Sequence, residues 1–168
     1  SVYERDAPFI PTYVFESRLP VLGICYGMQA LTQALGGEVA AAGEREYGSA
    51  EVYVEAQNPL IDRGAHMVWM SHGDRIESPP PGFSVLGRSG NSPIALMGDL
   101  ERGYFGLQFH PEVQHTPGGA EILRRFAVEV CGAHPEWTPT SIIAQSIERV
   151  QQQVGDQMVL SAVSGGVD

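Results

Sequence analysis

The stretch "PVLGICYGMQALTQALGG", residues 20–37, places a cysteine between two glycines where an apolar run gives way to a helical pattern. "PVLGI" is short, apolar and bounded by a proline and a turn, which predicts a buried strand. Met28, Leu31 and Leu35 then recur at helical spacing, and a glycine pair follows as a stop signal. The sequence therefore predicts a strand, a sharp turn at Cys25 and a helix.

Gly-x-Cys-x-Gly at a strand-to-helix junction, Gly23 to Gly27, has the form of a nucleophile elbow. Such a turn crowds its neighbours, so glycine is expected on both sides of Cys25. The sulfur then lies over the helix N-terminus, where free N–H groups favour a thiolate. The N–H of Tyr26 is placed to donate to an oxyanion. The alternative is that Cys25 is a small buried hydrophobe at the end of a strand.

A nucleophilic cysteine needs a base, and His110 is the best placed of the five histidines. "YFGLQFHPEV" puts His110 at the end of an apolar strand, with Glu112 two residues later on the same side. In a Cys–His–Glu triad, His110 acts as general base and then general acid, and Glu112 orients its imidazole. The alternative is a strand-end histidine that a backbone carbonyl satisfies.

A metal site at His110, Glu112 and His115 is not expected. Pro111 breaks any helix that would align the three side chains, and no Cys-x-x-Cys or His-Glu-x-x-His spacing occurs.

Composition limits the function classes. The chain has 168 residues, is 43% hydrophobic and carries a formal net charge of −10, a field that repels nucleic acid and anionic membranes. It contains no apolar run long enough to cross a bilayer and no signal-like start. Two cysteines without a secretory signal indicate a reducing cytoplasm.

The rest of the chain alternates short apolar strands with helical patterns, which predicts an α/β layered fold. An amphipathic helix is predicted over about residues 120–130, followed by a linker rich in proline and glycine. Thr138 and Pro139 are typical of a second helix start, and that helix is predicted to bury one apolar face. The apolar face of that helix consists of Ile143, Ile147, Val150 and Val154. The predicted strands are "AEVYVE", "MVWM", "FSVLG", "PIALM", "YFGLQF" and "QMVLSAV".

Four motifs, "GICYGMQALTQALGG", "REYGSAEV", "MSHGD" and "LQFHPEV", together resemble class I (triad-type) glutamine amidotransferases, in particular the GMP synthase family. The terminal "SGGVD" resembles the start of that family's ATP pyrophosphatase loop. The resemblance implies a flavodoxin-like sheet with flanking helices, N-terminally truncated, over residues 1–132. A linker over 133–140 and the first helix and strand of an adenine nucleotide hydrolase-like domain over 141–168 follow.

The resemblance also implies a reaction: Cys25 attacks the glutamine side-chain amide, His110 and Glu112 move the protons, and water hydrolyses the thioester. Tyr26, Gln29, Ser71, Gly73 and Asp74 are implied to border or hold the glutamine. Asp74 suits the substrate α-ammonium, but an acidic residue in a glycine-rich turn is also an ordinary turn former.

The sequence leaves the roles of two motifs open. "REYG", Arg45 to Gly48, faces a synthetase half by resemblance, although an exposed charged turn before a strand is the favoured interpretation. The loop formed by Ser164, Gly165, Gly166, Val167 and Asp168 is expected to be an anion nest for pyrophosphate, the alternative being a flexible glycine turn. The family implies ATP and Mg²⁺ for the intact enzyme, which adenylates XMP and aminates it with the ammonia.

The chain is expected to be an internal fragment of a homodimeric enzyme, with impaired activity. The family has an earlier strand, helix and glycine pair before a "SVY"-like segment, and that pair supplies a second oxyanion donor. Two alternatives keep the fold but change the role: a γ-glutamyl hydrolase or peptidase, and a non-catalytic interaction module.

Overall fold

A computed structural model of the chain describes residues 1–136 and 138–162, apart from the side chain of Glu44. The chain divides into two compact units, one of residues 1–133 and one that begins at His134. All six strands found in the described residues belong to the first unit.

The first unit is built on one mixed sheet. Its strands, in sheet order, are β1, β6, β5, β4, β2 and β3. β1 and β6 run parallel, and every other neighbouring pair is antiparallel. The strands are β1 (Val21–Ile24), β2 (Glu38–Val54), β3 (Gly64–Ser78), β4 (Ser84–Ser89), β5 (Leu96–Asp99) and β6 (Tyr104–Leu107).

Within residues 1–136 and 138–162, three helices belong to the first unit and one to the second. They are α1 (Thr12–Glu16), α2 (Tyr26–Ala34), α3 (Gly119–Arg125), which continues as a π-helical turn over Phe126–Val130, and α4 (Pro139–Val154).

Two hydrophobic cores form because successive strand side chains point to opposite faces of the sheet. Leu96 and Phe105 belong to the core that Ile122 of α3 covers. Their neighbours Met97 and Tyr104 belong to the core that α2 fills with Leu31. The predicted α/β sheet with flanking helices is therefore confirmed.

The strand predictions hold in position but not always in length. "AEVYVE" and "MVWM" lie in β2 and β3, which extend well beyond these segments. "MVWM" alternates rather than being fully buried, since Met67 is exposed and Val68 buried. The strand predicted at "PIALM" begins only at Leu96 and runs on to Asp99. Pro93, which has no N–H to donate, lies before it.

Two predictions near the C-terminus are wrong. No strand forms over residues 157–162, where Met158 and Leu160 are fully exposed and no described strand pairs with them. The stripe of α4 is also not buried: Ile143, Ile147 and Val150 are each more than half exposed. Only the start of α4 behaves as predicted, with Thr138 accepting a hydrogen bond from the N–H of Ser141.

Candidate active site

Cys25 lies between the end of β1 and the start of α2. Its backbone has φ 49° and ψ −105°, a conformation that costs free energy in any residue with a Cβ. Its N–H donates to the carbonyl of Leu107 at 2.7 Å, which continues the β1–β6 pairing by one residue. The sheet thus holds the cysteine in a strained turn at the carboxyl ends of two parallel strands.

The two flanking glycines are not equivalent. A Cβ on Gly23 would lie 2.6 Å from the carbonyl oxygen of Gly27, a backbone contact that no side-chain rotation relieves. A Cβ on Gly27 would meet nothing within 4 Å. The expectation that the turn requires glycine on both sides is therefore wrong for Gly27 and right for Gly23.

The thiol of Cys25 is half-buried among polar groups. Its Sγ lies 3.6 Å from the carbonyl oxygen of Ser71 and 3.8 Å from Nε2 of Gln108. Burial is the strongest influence on the thiol and raises its pKa, and the charge of Glu112 raises this pKa further. Hydrogen bonds from the Tyr26 N–H and from Gln108 lower the pKa by less. The expectation that the helix N-terminus favours a thiolate is not met in the free protein, because desolvation outweighs the donors there.

His110 and Glu112 follow β6, so they lie at the sheet edge where Cys25 follows β1. Nδ1 of His110 is 2.7 Å from Oε1 of Glu112. The backbone of His110 is fixed on both sides, with its N–H on the Trp69 carbonyl and its carbonyl accepting from Thr116. Nε2 of His110 is buried and has no hydrogen-bond partner among the described residues. The imidazole therefore has one nitrogen engaged by a carboxylate and the other free to take a proton.

His115, the third residue considered for a metal, stacks on Trp69 with ring centroids 4.6 Å apart. Over residues 1–136 and 138–162, no group of three or more His, Cys, Asp or Glu side chains is arranged to hold a metal ion.

Among the other predicted glutamine-binding residues, the side chains of Tyr26, Gln29 and Asp74 already have hydrogen-bond partners within the chain. Gln29 is buried, and its Nε2 donates to the Asp74 carbonyl at 3.2 Å. The phenol of Tyr26 is bonded to the carbonyl of Pro8. The carboxylate of Asp74 already accepts from Ser1 Oγ at 2.6 Å and from Tyr3 Oη at 3.0 Å.

Ser71 and Gly73 are part of β3, which passes beside Cys25. Gly73 lies beside the side chain of Arg45, and a Cβ there would make an ordinary contact with it at 3.6 Å. The predicted loop of Ser164, Gly165, Gly166, Val167 and Asp168 lies outside the described residues.

The sequence offered no direct signal for Gln108, and the interpretation of the "REYG" motif was wrong. Gln108 is fully buried beside the thiol, and only its position in "LQFHPEV" signalled it. The "REYG" motif is not a turn but part of β2, where Tyr47 is exposed and Glu46 is buried. The interpretation as an exposed charged turn is wrong because strand alternation sends Glu46 inward, where it meets His72.

Comparison with known proteins agrees with this geometry. The family model described as "Glutamine amidotransferase class-I" matches residues 2–130. The chain belongs to the class I glutamine amidotransferase family. A GMP synthase (glutamine-hydrolyzing) of Thermomicrobium roseum is 55% identical over 170 residues, which cover 100% of this chain and 32% of the relative. One of Dehalococcoides mccartyi is 52% identical over 171 residues, 100% of this chain and 32% of the relative.

The fold comparison points the same way. The crystal structure of a protein from Thermoplasma acidophilum, named as a GMP synthase subunit, has a TM-score of 0.68 and is 27% identical, covering 84% of this chain and 65% of that chain. The predicted amidotransferase fold is confirmed for the first unit of the chain. The chain spans about a third of the length of the curated relatives that it matches. In the described part of the chain, no helix has the length and apolarity that a membrane crossing requires.

Proposed function

We propose that this chain hydrolyses glutamine to glutamate and ammonia, with Cys25 as nucleophile, His110 as general base and acid, and Glu112 as the group that orients the imidazole. The observation that carries the proposal is the buried Nε2 of His110, which has no partner while Nδ1 is engaged by Glu112. A carboxylate only accepts hydrogen bonds, so Nδ1 carries the hydrogen and Nε2 presents its lone pair.

The raised pKa of Cys25 determines how the nucleophile forms. At neutral pH the thiol keeps its proton in the free protein, since burial disfavours the charged form. The proton passes from Sγ to Nε2 of His110 as Sγ attacks the amide carbon of glutamine. Glu112 then faces an imidazolium and balances its charge. The strained turn and the buried base therefore act together.

The remaining steps use the same groups. The C–N bond of the tetrahedral intermediate breaks as His110 returns the proton to the leaving nitrogen, which departs as ammonia and leaves a γ-glutamyl thioester. Water, deprotonated by His110, attacks the thioester and releases glutamate and the thiol. The Tyr26 N–H, which lowers the pKa of the thiol, is proposed as an oxyanion donor.

Substrate binding is assigned to the residues that surround the thiol. Ser71 contacts the thiol of Cys25 through its carbonyl, and Gln29, Ser71, Gly73 and Asp74 are proposed to hold the glutamine. If Asp74 binds the α-ammonium of glutamine, that ammonium has to share the Asp74 carboxylate with the hydroxyls of Ser1 and Tyr3 or displace them.

For the whole protein we propose glutamine-dependent GMP synthesis, supported by the names of the relatives and their sequence identity. Residues 1–132 would be the amidotransferase, 133–140 a linker, and 141–168 the start of the ATP pyrophosphatase domain. The loop at 164–168 would bind the pyrophosphate of ATP with Mg²⁺, and the ammonia would aminate activated XMP. A cytoplasmic homodimer fits this role.

The test measures ammonia release from glutamine by the chain and by matched variants. Cys25→Ser and His110→Asn are expected to lower the rate by more than about a thousandfold, since members of a catalytic triad act as a unit. Cys131→Ser, at the exposed cysteine, is expected to keep the rate. A glutamine-like diazoketone is expected to add one label to the protein at Cys25, as read by peptide mass spectrometry.

Labelling confined to Cys131 would overturn the assignment of the nucleophile. Faster cleavage of γ-glutamyl peptides than of glutamine would favour the hydrolase alternative. A folded chain that releases no ammonia and takes no label, also when tested as part of the longer protein, would favour the interaction module.

A further inference from the structure

Glu46 and His72 form a buried pair that the proposed reaction does not use. Oε2 of Glu46 is 3.2 Å from Nε2 of His72, and their side chains are only 10% and 2% exposed. The carboxylate also accepts from Ser89 Oγ, at 3.0 and 3.1 Å, and from Ser92 Oγ at 3.3 Å. A buried carboxylate with this many partners has one fixed orientation.

The pair is joined to the candidate active site through the backbone. Nδ1 of His72 lies 2.9 Å from the carbonyl oxygen of Asp74. The same oxygen accepts from Nε2 of Gln29 on α2, and the carbonyl of Ser71, three residues earlier on β3, contacts the thiol of Cys25. Through His72, Glu46 of β2 thus restrains the Ser71–Asp74 segment of β3, which contacts the thiol of Cys25.

The backbone ladder is irregular where this segment lies. Asp74 pairs with Ala41 and His72 pairs with Glu46, so residues 42–45 of β2 stand opposite Gly73 alone. A bulge of this kind interrupts the ladder hydrogen bonds that fix a strand. Side-chain bonds from His72 and Gln29 to the Asp74 carbonyl supply part of that missing restraint.

We propose that Glu46 is a positioning residue for the glutamine site: it holds His72, and His72 holds the Ser71–Asp74 segment against α2. This inference rests on the proposed function. Nδ1 of His72 faces the Asp74 carbonyl, and Nε2 faces the Glu46 carboxylate and, at 3.4 Å, the Ser92 hydroxyl, so contacts at both ring nitrogens fix the orientation of the imidazole. The "REYG" and "SHGD" motifs therefore act as one unit.

The test compares Glu46→Gln with Glu51→Gln, at an exposed glutamate on the same strand. Glu46→Gln keeps the shape of the side chain but removes its charge. The KM for glutamine is expected to rise about tenfold, because one charge-assisted hydrogen bond is lost, and kcat is expected to stay within about twofold. The reaction of Cys25 with a small neutral thiol reagent is expected to stay at the original rate.

Several outcomes would overturn the inference. They are an unchanged KM in Glu46→Gln, an equal rise in KM in Glu51→Gln, and a loss of kcat with KM intact. If Glu46→Gln does not fold, Ser92→Ala, which removes one donor to the carboxylate, is expected to raise KM in the same direction, and an unchanged KM there counts against the inference. An original sequence that releases no ammonia, also when tested as part of the longer protein, would instead contradict the proposed function.

Discussion

Helices α2 and α4 have the same kind of sequence but different surroundings. Both begin after a recognisable start signal and place apolar side chains at helical spacing. In α2 the apolar side chains Met28 and Leu31 are buried and have no exposed surface. In α4, Ile143 and Ile147 are 60% and 53% exposed, and no residue of the helix is buried in the part of the chain that the structure describes.

The difference shows what a local pattern can predict. Periodicity and capping act within a few residues, so they predict that a helix forms and where it begins. Burial of the stripe needs a surface from elsewhere in the chain. For α2 that surface includes Met97 and Tyr104, which lie far away in sequence. A pattern on a single helix contains no information about such a partner.

The largest expected effect is a loss of stability when the apolar stripe of α2 is truncated, compared with the stripe of α4. Leu31→Ala is expected to lower the free energy of unfolding by about 2–5 kcal/mol, because it removes a fully buried side chain and leaves a cavity. Ile147→Ala is expected to change it by no more than about 0.5 kcal/mol, because the side chain is half exposed. Urea denaturation followed by far-UV circular dichroism measures both, and equal losses would show that the stripe of α4 is covered.

The next test compares the two glycines at the start of α2. Gly23→Ala is expected to cost about 1–3 kcal/mol, since its Cβ would press on the backbone of Gly27, and to slow alkylation of Cys25 by displacing the turn. Gly27→Ala is expected to leave both quantities near their original values, because its Cβ enters open space. Equal behaviour of the two variants would show that the strained turn does not depend on Gly23.

The smallest expected effect concerns a single hydrogen bond at the same helix start. Gln108→Leu removes a donor to the Cys25 sulfur and is expected to raise the thiol pKa further, because the charged form loses a partner. In a Cys131→Ser background, alkylation at pH 7 is expected to slow roughly tenfold and to reach the original rate at alkaline pH. A slower rate at every pH would indicate altered access to the sulfur instead.

The same thiol also gives the direction of a stability change. Its pKa is raised in the folded chain, so the folded state retains the proton where the unfolded state has lost it. The contribution of Cys25 to stability is present below the unfolded pKa and is lost as pH rises through the folded one.

Sequence reasoning predicted the architecture and the nucleophile elbow because both depend on local rules. It placed Cys25, His110 and Glu112 at strand ends, where the structure finds them, although their catalytic roles stay a prediction. It did not predict the raised pKa of Cys25, which depends on burial by the whole fold. It also missed that Glu46 is buried, since only the pairing of β2 with β3 brings Glu46 to His72.

The parallel pairing of β1 with β6 has a consequence for how this domain tolerates changes in length. Cys25 and His110 are set by a register in which Ile24 stands beside Leu107. An added residue between Leu107 and His110 would therefore shift the imidazole relative to Cys25, whereas added residues in the connection between β2 and β3 leave the pairing of β1 with β6 unchanged. The length of the short segments that follow these two strands is thus constrained by the site in a way that the β2–β3 connection is not.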